Sequence, residues 1–156
     1  MSTKIANQDP TPTSAIQFFS EGINFHIEDE ILLQRWILQV IEQYNHQLSF
    51  INYILCSDDY LYQINLTYLN HNTLTDIITF PYAESPNIES DIFISIDRVE
   101  DNAKTLGVDF QQEFHRVVIH GVLHLCGLLD KTPKQASNMR EAEEKSLRLL
   151  AQLKSA

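Results

Sequence analysis

A chain of 156 residues, 44% hydrophobic and 10% aromatic, is long enough for one domain with a real core, which rules out a disordered or collagen-like polypeptide. Its 21 acids outnumber 11 bases, and the net charge of −10 argues against non-specific binding to nucleic acid, whose phosphates are held mainly by cations. The imbalance is uneven: residues 1–97 set Lys4 and Arg35 against thirteen acids, whereas residues 98–156 carry nine bases and eight acids, so a basic face has to come from the C-terminal third.

The four glycines, Gly22, Gly107, Gly121 and Gly127, form no phosphate-cradling loop, which excludes a nucleotide cofactor of the P-loop or Rossmann type. No apolar run approaches the roughly 18 residues of a membrane span. The N-terminus, MSTKIANQDPTPTS, lacks the apolar stretch of a signal peptide. A cytoplasmic protein with no membrane partner is expected. Cys56 and Cys126 form no CxxC pair and sit in apolar surroundings, as small buried hydrophobes do.

In chain order, residues 1–14 read as a flexible tail and residues 15–156 as a single domain. Ala15–Phe19 and Ile23–Phe25 suggest a short strand and turn. From His26 to about His46, apolar Ile31, Leu32, Trp36, Ile37, Val40 and Ile41 recur at three- and four-residue spacing, which predicts a helix with one buried stripe. Leu48–Cys56 is aromatic and β-branched, hence a strand. Ser57 can cap a helix running to about Leu66, with Asp58 and Asp59 in its first turn against the helix dipole. An irregular stretch, Leu69–Thr75, precedes strands at Ile77–Tyr82 and Asp91–Ile96, joined by AESPNIES. A short helix begins near Asp97 or Val99. Gln111–Cys126 is helical in pattern and stops at Gly127 as a left-handed cap, and Pro133 onward makes a final amphipathic helix. The order β-α-β-α-β-β-α-α-α predicts an α/β (α+β) fold, a single mixed four-stranded sheet covered by about five helices.

The chemistry is concentrated in His120-Gly-Val-Leu-His124-Leu-Cys-Gly-Leu-Leu-Asp130. At 100° per residue, His120 and His124 fall on one helix face, one turn apart. Gly127 then reverses the chain, and Asp130 can return its carboxylate to the same ion. Three protein ligands with an open water position are the pattern of a catalytic zinc site, and hydrolysis is the natural class, because zinc acidifies bound water and polarises carbonyl or phosphoryl oxygens. Peptidases of the HExxH type carry a glutamate beside the first histidine; here that position is Gly121, which argues against a peptide substrate. Two histidines and a carboxylate also match non-haem iron oxygenases, but those sites sit in strand-rich barrels and this chain has too few strands. His115, about 140° around the helix from His120, faces elsewhere. His26, His46 and His71 stand alone in separate segments and read as solvated or structural.

HGVLHLCGLLD resembles the H-G-x-L-H-L-x-G-x-x-H motif of the YbeY family, bacterial ribosomal-RNA maturation factors described as metal-dependent endoribonucleases. The segment from Asn65 through Thr75-Asp76-Ile-Ile-Thr-Phe80 resembles that family's N-x-x-Y-R…T-D-V-L-S-F, and Ser90-Asp91-Ile92 its G-D-I. The resemblance runs from roughly residue 15 to 150. It implies a zinc-dependent single-strand endoribonuclease acting in ribosomal-RNA maturation and ribosome assembly. One zinc ion per chain is implied, with ribosomal RNA or ribosomal proteins as partners. Carried over by position, His120 and His124 are the first two metal ligands, and the third family histidine falls on Asp130, a carboxylate competent to bind zinc. Leu69 stands where the family has an arginine linked to nuclease activity; leucine cannot stabilise negative charge, and His71 is the nearby candidate substitute.

Two further readings stay open: a non-catalytic ribosome-assembly factor with a structural or binding metal, favoured by Leu69 and the acidity, and a zinc hydrolase of a non-nucleic substrate. Thr75 and Asp76 are candidates to line the cleft, and Asp76 to orient a ligand histidine, against the plain alternative of a turn before a strand. Glu113, about two turns before His120, is within reach of a role near the metal, but reads first as an exposed helix residue. Lys104, Arg116, Lys131, Lys134 and Arg140 flank the motif and would supply phosphate contacts if they gather at the cleft, with Tyr68 and Tyr82 as stacking surfaces.

Overall fold

A computed structural model describes residues 15–69 and 75–155. The tail expected over residues 1–14 and the candidate His71 lie outside the described residues. The elements are β1 (Ile16–Glu21), α1 (Glu30–Gln43), β2 (Gln47–Cys56), α2 (Asp58–Leu69), β3 (Ile77–Pro81), β4 (Asn87–Ser95), α3 (Ile96–Leu106), α4 (Phe110–Leu125) and α5 (Pro133–Ser155). The strands form one sheet in the order β1-β2-β4-β3; β1, β2 and β4 are parallel, and β3 runs antiparallel to β4. This is the mixed four-stranded α+β fold expected from the sequence. No helix of the described residues is long and apolar enough to cross a membrane.

Alternation along the strands sends side chains to two faces. Ile51, Tyr53 and Leu55 of β2, with Ile88, Ile92 and Ile94 of β4, face the main core, which α1, α4 and α5 complete through Trp36, Ile37, Phe114, Val118, Val122 and Leu150. On the other face Cys56, Ile78, Phe80 and Phe93 form a smaller cluster under Leu61 and Ile64 of α2. Two buried polar handles tie the layers together: Tyr53 Oη donates to Val118 O at 3.1 Å, and Trp36 Nε1 donates to Ser146 O at 2.7 Å.

Several boundaries differ from the sequence pattern, each for a local reason. Asp29 caps α1 by accepting from Leu32 N at 3.1 Å, so the helix starts at Glu30 rather than His26. Ile23–Phe25 forms no strand. β1 continues to Glu21 because its backbone stays in register with β2, Glu21 opposite Cys56. β4 begins at Asn87, four residues before the expected Asp91, since Asn87–Ser90 pair with Gln47–Ile51 despite their turn-like composition. Ser57 Oγ accepts from Tyr60 N at 3.1 Å, the expected cap, and α2 then runs to Leu69.

Gly121 sets how closely α4 lies on the sheet. A Cβ there would stand 3.0 Å from Ile77 Cδ1 and 3.3 Å from Ile92 Cδ1. Alanine would gain about 1 kcal/mol of helix propensity, against about 1–3 kcal/mol for overpacking. Gly121→Ala is therefore expected to lower the stability by about 1 kcal/mol in urea unfolding, and Gly121→Val by several. An unchanged midpoint in the valine variant would contradict this close packing. A glutamate, the HExxH general base, would have to displace these isoleucine methyls and bury its charge against the sheet.

Candidate metal centre

The site lies at the C-terminal end of α4, where the sequence dictates an abrupt reversal. Gly127 adopts a left-handed φ of 101°. Its N–H donates to His124 O at 2.9 Å, and Leu128 N donates to Leu123 O at 3.0 Å, the paired hydrogen bonds of a Schellman turn. The far end of the loop is pinned as firmly. Thr132 Oγ1 accepts from Gln135 N at 3.1 Å, while Gln135 Oε1 accepts from Thr132 N at 3.2 Å and Lys131 N at 3.0 Å. Thr132, Pro133 and Gln135 thus form a capping box with proline at the first helical position. Asp130 is held between these two anchors.

His120 and His124 stand one turn apart with ring centroids 4.6 Å apart and planes at 85°. His120 Nδ1 donates to Glu143 Oε2 at 2.7 Å, and His124 Nδ1 donates to Leu128 O at 2.9 Å. Neither acceptor carries a proton of its own to give, so in the neutral rings the hydrogen sits on Nδ1 and the lone pair on Nε2. Both Nε2 atoms turn toward one oxygen: Asp130 Oδ2 lies 3.4 Å from His120 Nε2 and 3.3 Å from His124 Nε2. Zinc–ligand bonds of about 2.0–2.1 Å at tetrahedral angles place donors about 3.3–3.4 Å apart, so this donor set fits a zinc ion. The three residues form the one group of three or more His, Cys, Asp or Glu donors found close enough for an ion among the described residues. The negative end of the α4 dipole also favours a cation here.

Behind His120 lies a buried charge network that the sequence did not reveal. Glu143 of α5 accepts from His120 through one carboxylate oxygen and from Arg116 Nη1, at 3.0 Å, through the other; Arg116 Nη2 reaches Glu144 at 2.6 Å. Burial alone would raise the pKa of Glu143, but its bonds to His120 and Arg116 hold it below the usual carboxylate value. Burial likewise disfavours a charged His120, yet the hydrogen bond and charge of Glu143 outweigh it and leave its pKa raised.

The other candidates are distributed as follows. Asp76 borders a pocket with Glu113, Arg116, His120, Arg140 and Glu143. Its carboxylate accepts from Asn102 Nδ2 at 3.3 Å, and it is Glu143 that bonds His120 Nδ1. Thr75 Oγ1 donates to Ile77 O at 3.3 Å. Glu113 is not an exposed helix residue: it is 6% exposed, because α3 and α5 flank this part of α4. Burial first, then the charge of Asp76, raises its pKa. Of the five flanking cations, Arg116 and Arg140 border this pocket, while Lys104, Lys131 and Lys134 do not, and both Nη groups of Arg116 are already paired. Tyr68 and Tyr82 are exposed, but Tyr68 packs on Phe80 and Tyr82 bonds Asp91, on the sheet face away from α4. Leu69 closes α2 and brings no charge.

His115 points away from the centre, edge-on to Trp36 with centroids 6.0 Å apart. Burial, then the charge of Lys154, lowers its pKa to about 4. The folded protein thus resists protonating a group that the unfolded chain protonates near pH 6.5. Stability contributed by neutral His115 is complete above that pH and is lost as the pH falls toward about 4. His115→Asn is expected to flatten the pH dependence between those values by about 2 kcal/mol relative to the parent protein in matched urea titrations. Parallel curves would show that His115 protonates as easily folded as unfolded.

Two imidazoles and a carboxylate converging at one helix end are a donor set of the kind that metal-dependent hydrolases use. The model of the family described as Endoribonuclease YbeY matches residues 18–151, and the chain belongs to this family. A protein of Amoebophilus asiaticus named Endoribonuclease YbeY is 50% identical over 133 residues, 85% of this chain and 90% of that protein. A Porphyromonas gingivalis protein of the same name is 41% identical over 135 residues, covering 86% and 89%. The solution structure of a Thermotoga maritima protein, 27% identical, superposes with a TM-score of 0.63 over 86% of this chain and 88% of that one.

Proposed function

We propose that this protein is a zinc-dependent endoribonuclease that cuts single-stranded RNA in ribosomal-RNA maturation, with His120, His124 and Asp130 holding the ion. The observation that carries the metal reading is the convergence of two oriented imidazole Nε2 atoms on one carboxylate oxygen at 3.3 and 3.4 Å. Membership of the endoribonuclease family supports RNA as the substrate. The reading takes residues 15–156 as one functional unit in the cytoplasm. A zinc ion held there supplies Lewis-acid polarisation of a phosphoryl oxygen and lowers the pKa of a water that it binds.

The protein's own groups prepare this chemistry. Glu143 and the Leu128 carbonyl fix both imidazoles with Nε2 free. Asp130 adds one negative charge while remaining partly open to solvent, so a substrate can approach. The tight contact of Gly121 with the sheet keeps the ring positions fixed relative to the pocket.

The test compares metal content and RNA cleavage of untagged protein with those of His124→Ala. About one zinc per chain and cleavage of a single-stranded RNA are expected, both lost in a variant that stays folded. A folded, zinc-loaded protein that leaves RNA intact would instead favour a non-catalytic assembly factor, the reading to which uncharged Leu69 lends support. A well-folded protein that takes up no zinc would remove the metal reading altogether.

A further inference from the structure

The pocket beside His120 contains a group that the metal reading does not use. Its volume is about 260 Å³. Glu113 borders it and is 6% exposed; no described residue hydrogen-bonds its carboxylate, and its oxygens are not among the atoms sealed from solvent without a partner, so they open onto the pocket. A carboxylate this enclosed gains from each donor that reaches it, and the pocket is the side from which one can come. A second metal ion is not favoured, since Asp76, Glu113 and Glu143 do not bring three donor atoms within 4.8 Å of one another.

At the mouth of the same pocket stands Arg140. Its side chain is largely exposed, and its nearest carboxylate, Glu143 Oε1, lies 3.9 Å away, beyond hydrogen-bond distance. Arg116, the other cation of the pocket, has both Nη groups engaged by Glu143 and Glu144. Arg140 is thus the cation of this pocket with donors free for an anion. A volume below the range of whole drug-sized ligands, about 300–1,000 Å³, suits a single sugar-sized group.

Resting on the endoribonuclease reading, we infer that this pocket is a ribonucleotide subsite, in which Arg140 binds a phosphate at the mouth and the unpaired Glu113 carboxylate accepts a hydrogen bond from the ribose 2′-hydroxyl. The 2′-hydroxyl is the group that distinguishes RNA from DNA, and a site built around a substrate hydroxyl rejects the analogue that lacks it. Arg140 supplies affinity to ribo- and deoxyribonucleotides alike; Glu113 supplies the preference.

The test titrates ¹⁵N-labelled, zinc-loaded protein with adenosine 5′-monophosphate and with 2′-deoxyadenosine 5′-monophosphate, neither of which has an internucleotide bond to cut. Backbone amides of α4 around Glu113 and of α5 around Arg140 are expected to shift, with the deoxynucleotide binding about tenfold more weakly. Glu113→Leu should abolish the difference, and Glu113→Gln, which keeps one acceptor oxygen, should retain part of it. Both variants should be at least as resistant to urea as the parent protein, because an unpaired buried charge is removed. Arg140→Ala should weaken both nucleotides equally, about fivefold. Equal affinity of the parent protein for the two nucleotides, a preference unchanged in Glu113→Leu, or shifts confined to other segments would overturn the subsite. RNA cleavage assayed on the same samples separates the two readings: cleavage without nucleotide preference rejects the subsite alone, and preference without cleavage rejects the nuclease alone.

Discussion

Replacing Glu143 with alanine is expected to lower the stability by about 3 kcal/mol and the zinc affinity by about 10–100-fold. Both effects have one cause. Glu143 is buried and shares its two oxygens between Arg116 and His120. Removing it leaves the Arg116 guanidinium, almost as deeply buried, with only the half-exposed Glu144. Loss of one partner from a buried pair usually costs about 3–5 kcal/mol, and the remaining Glu144 contact places this case at the low end. At the same time His120 loses the acceptor that fixes its tautomer, so the ring can turn or carry its hydrogen on Nε2. Glu143→Gln keeps an acceptor for the imidazole but drops the charge, and should fall between the two. Glu141→Ala, an exposed neighbour on α5, should change stability by less than about 0.5 kcal/mol. Urea unfolding in chelator and zinc titration against a competing dye read the two effects separately. A Glu143→Ala protein as stable as Glu141→Ala would mean that the network contributes nothing to folding.

Asp130→Ala is expected to separate binding from folding in the opposite way. Changing a residue behind a metal ligand costs about 10–100-fold in affinity, so removing a ligand itself should cost more than about 100-fold. Asp130 is exposed, on a loop held by the Gly127 turn and the Thr132 cap, so stability in metal-free buffer should stay within about 0.5 kcal/mol of the parent value. The rise in melting temperature on adding zinc, which follows from preferential binding to the folded state, should vanish in the variant. Asp130→His should restore it, because a third imidazole completes the same tetrahedral set. RNA cleavage should fall with the affinity in Asp130→Ala and return in Asp130→His. Undiminished zinc-dependent stabilisation in Asp130→Ala would show that the ion, if bound, sits elsewhere.

The part of the site written in local spacing was legible. His120 and His124 announce themselves by a four-residue interval, Gly127 by the turn it permits, and Asp130 by its distance beyond that turn. Glu143 was not legible: it reaches His120 from a separate helix, and in REAEEK nothing local distinguishes it from Glu141 or Glu144. Glu113 was misread because a charge on an amphipathic helix ordinarily faces water, whereas three helices meet around this one. The same division holds for the fold. Helix caps at Ser57 and Gly127 are short-range signals and fell where expected. The first half of β4 carries Asn87, Glu89 and Ser90, a turn-like composition, and is a strand only because β2 lies alongside to pair with it.

His120, His124, Asp130 and Glu143 all belong to a single helix–turn–helix near the end of the chain. The sheet depends on none of them; its last strand closes at Ser95. Chains are synthesised from the N-terminus and their domains fold in that direction, so the strands are complete before the metal donors leave the ribosome. A chain cut short after α4 would have every strand yet lack the carboxylate that steadies His120. On the metal reading proposed above, a copy truncated after α4 is expected to keep every strand but to hold zinc far less tightly than the parent protein.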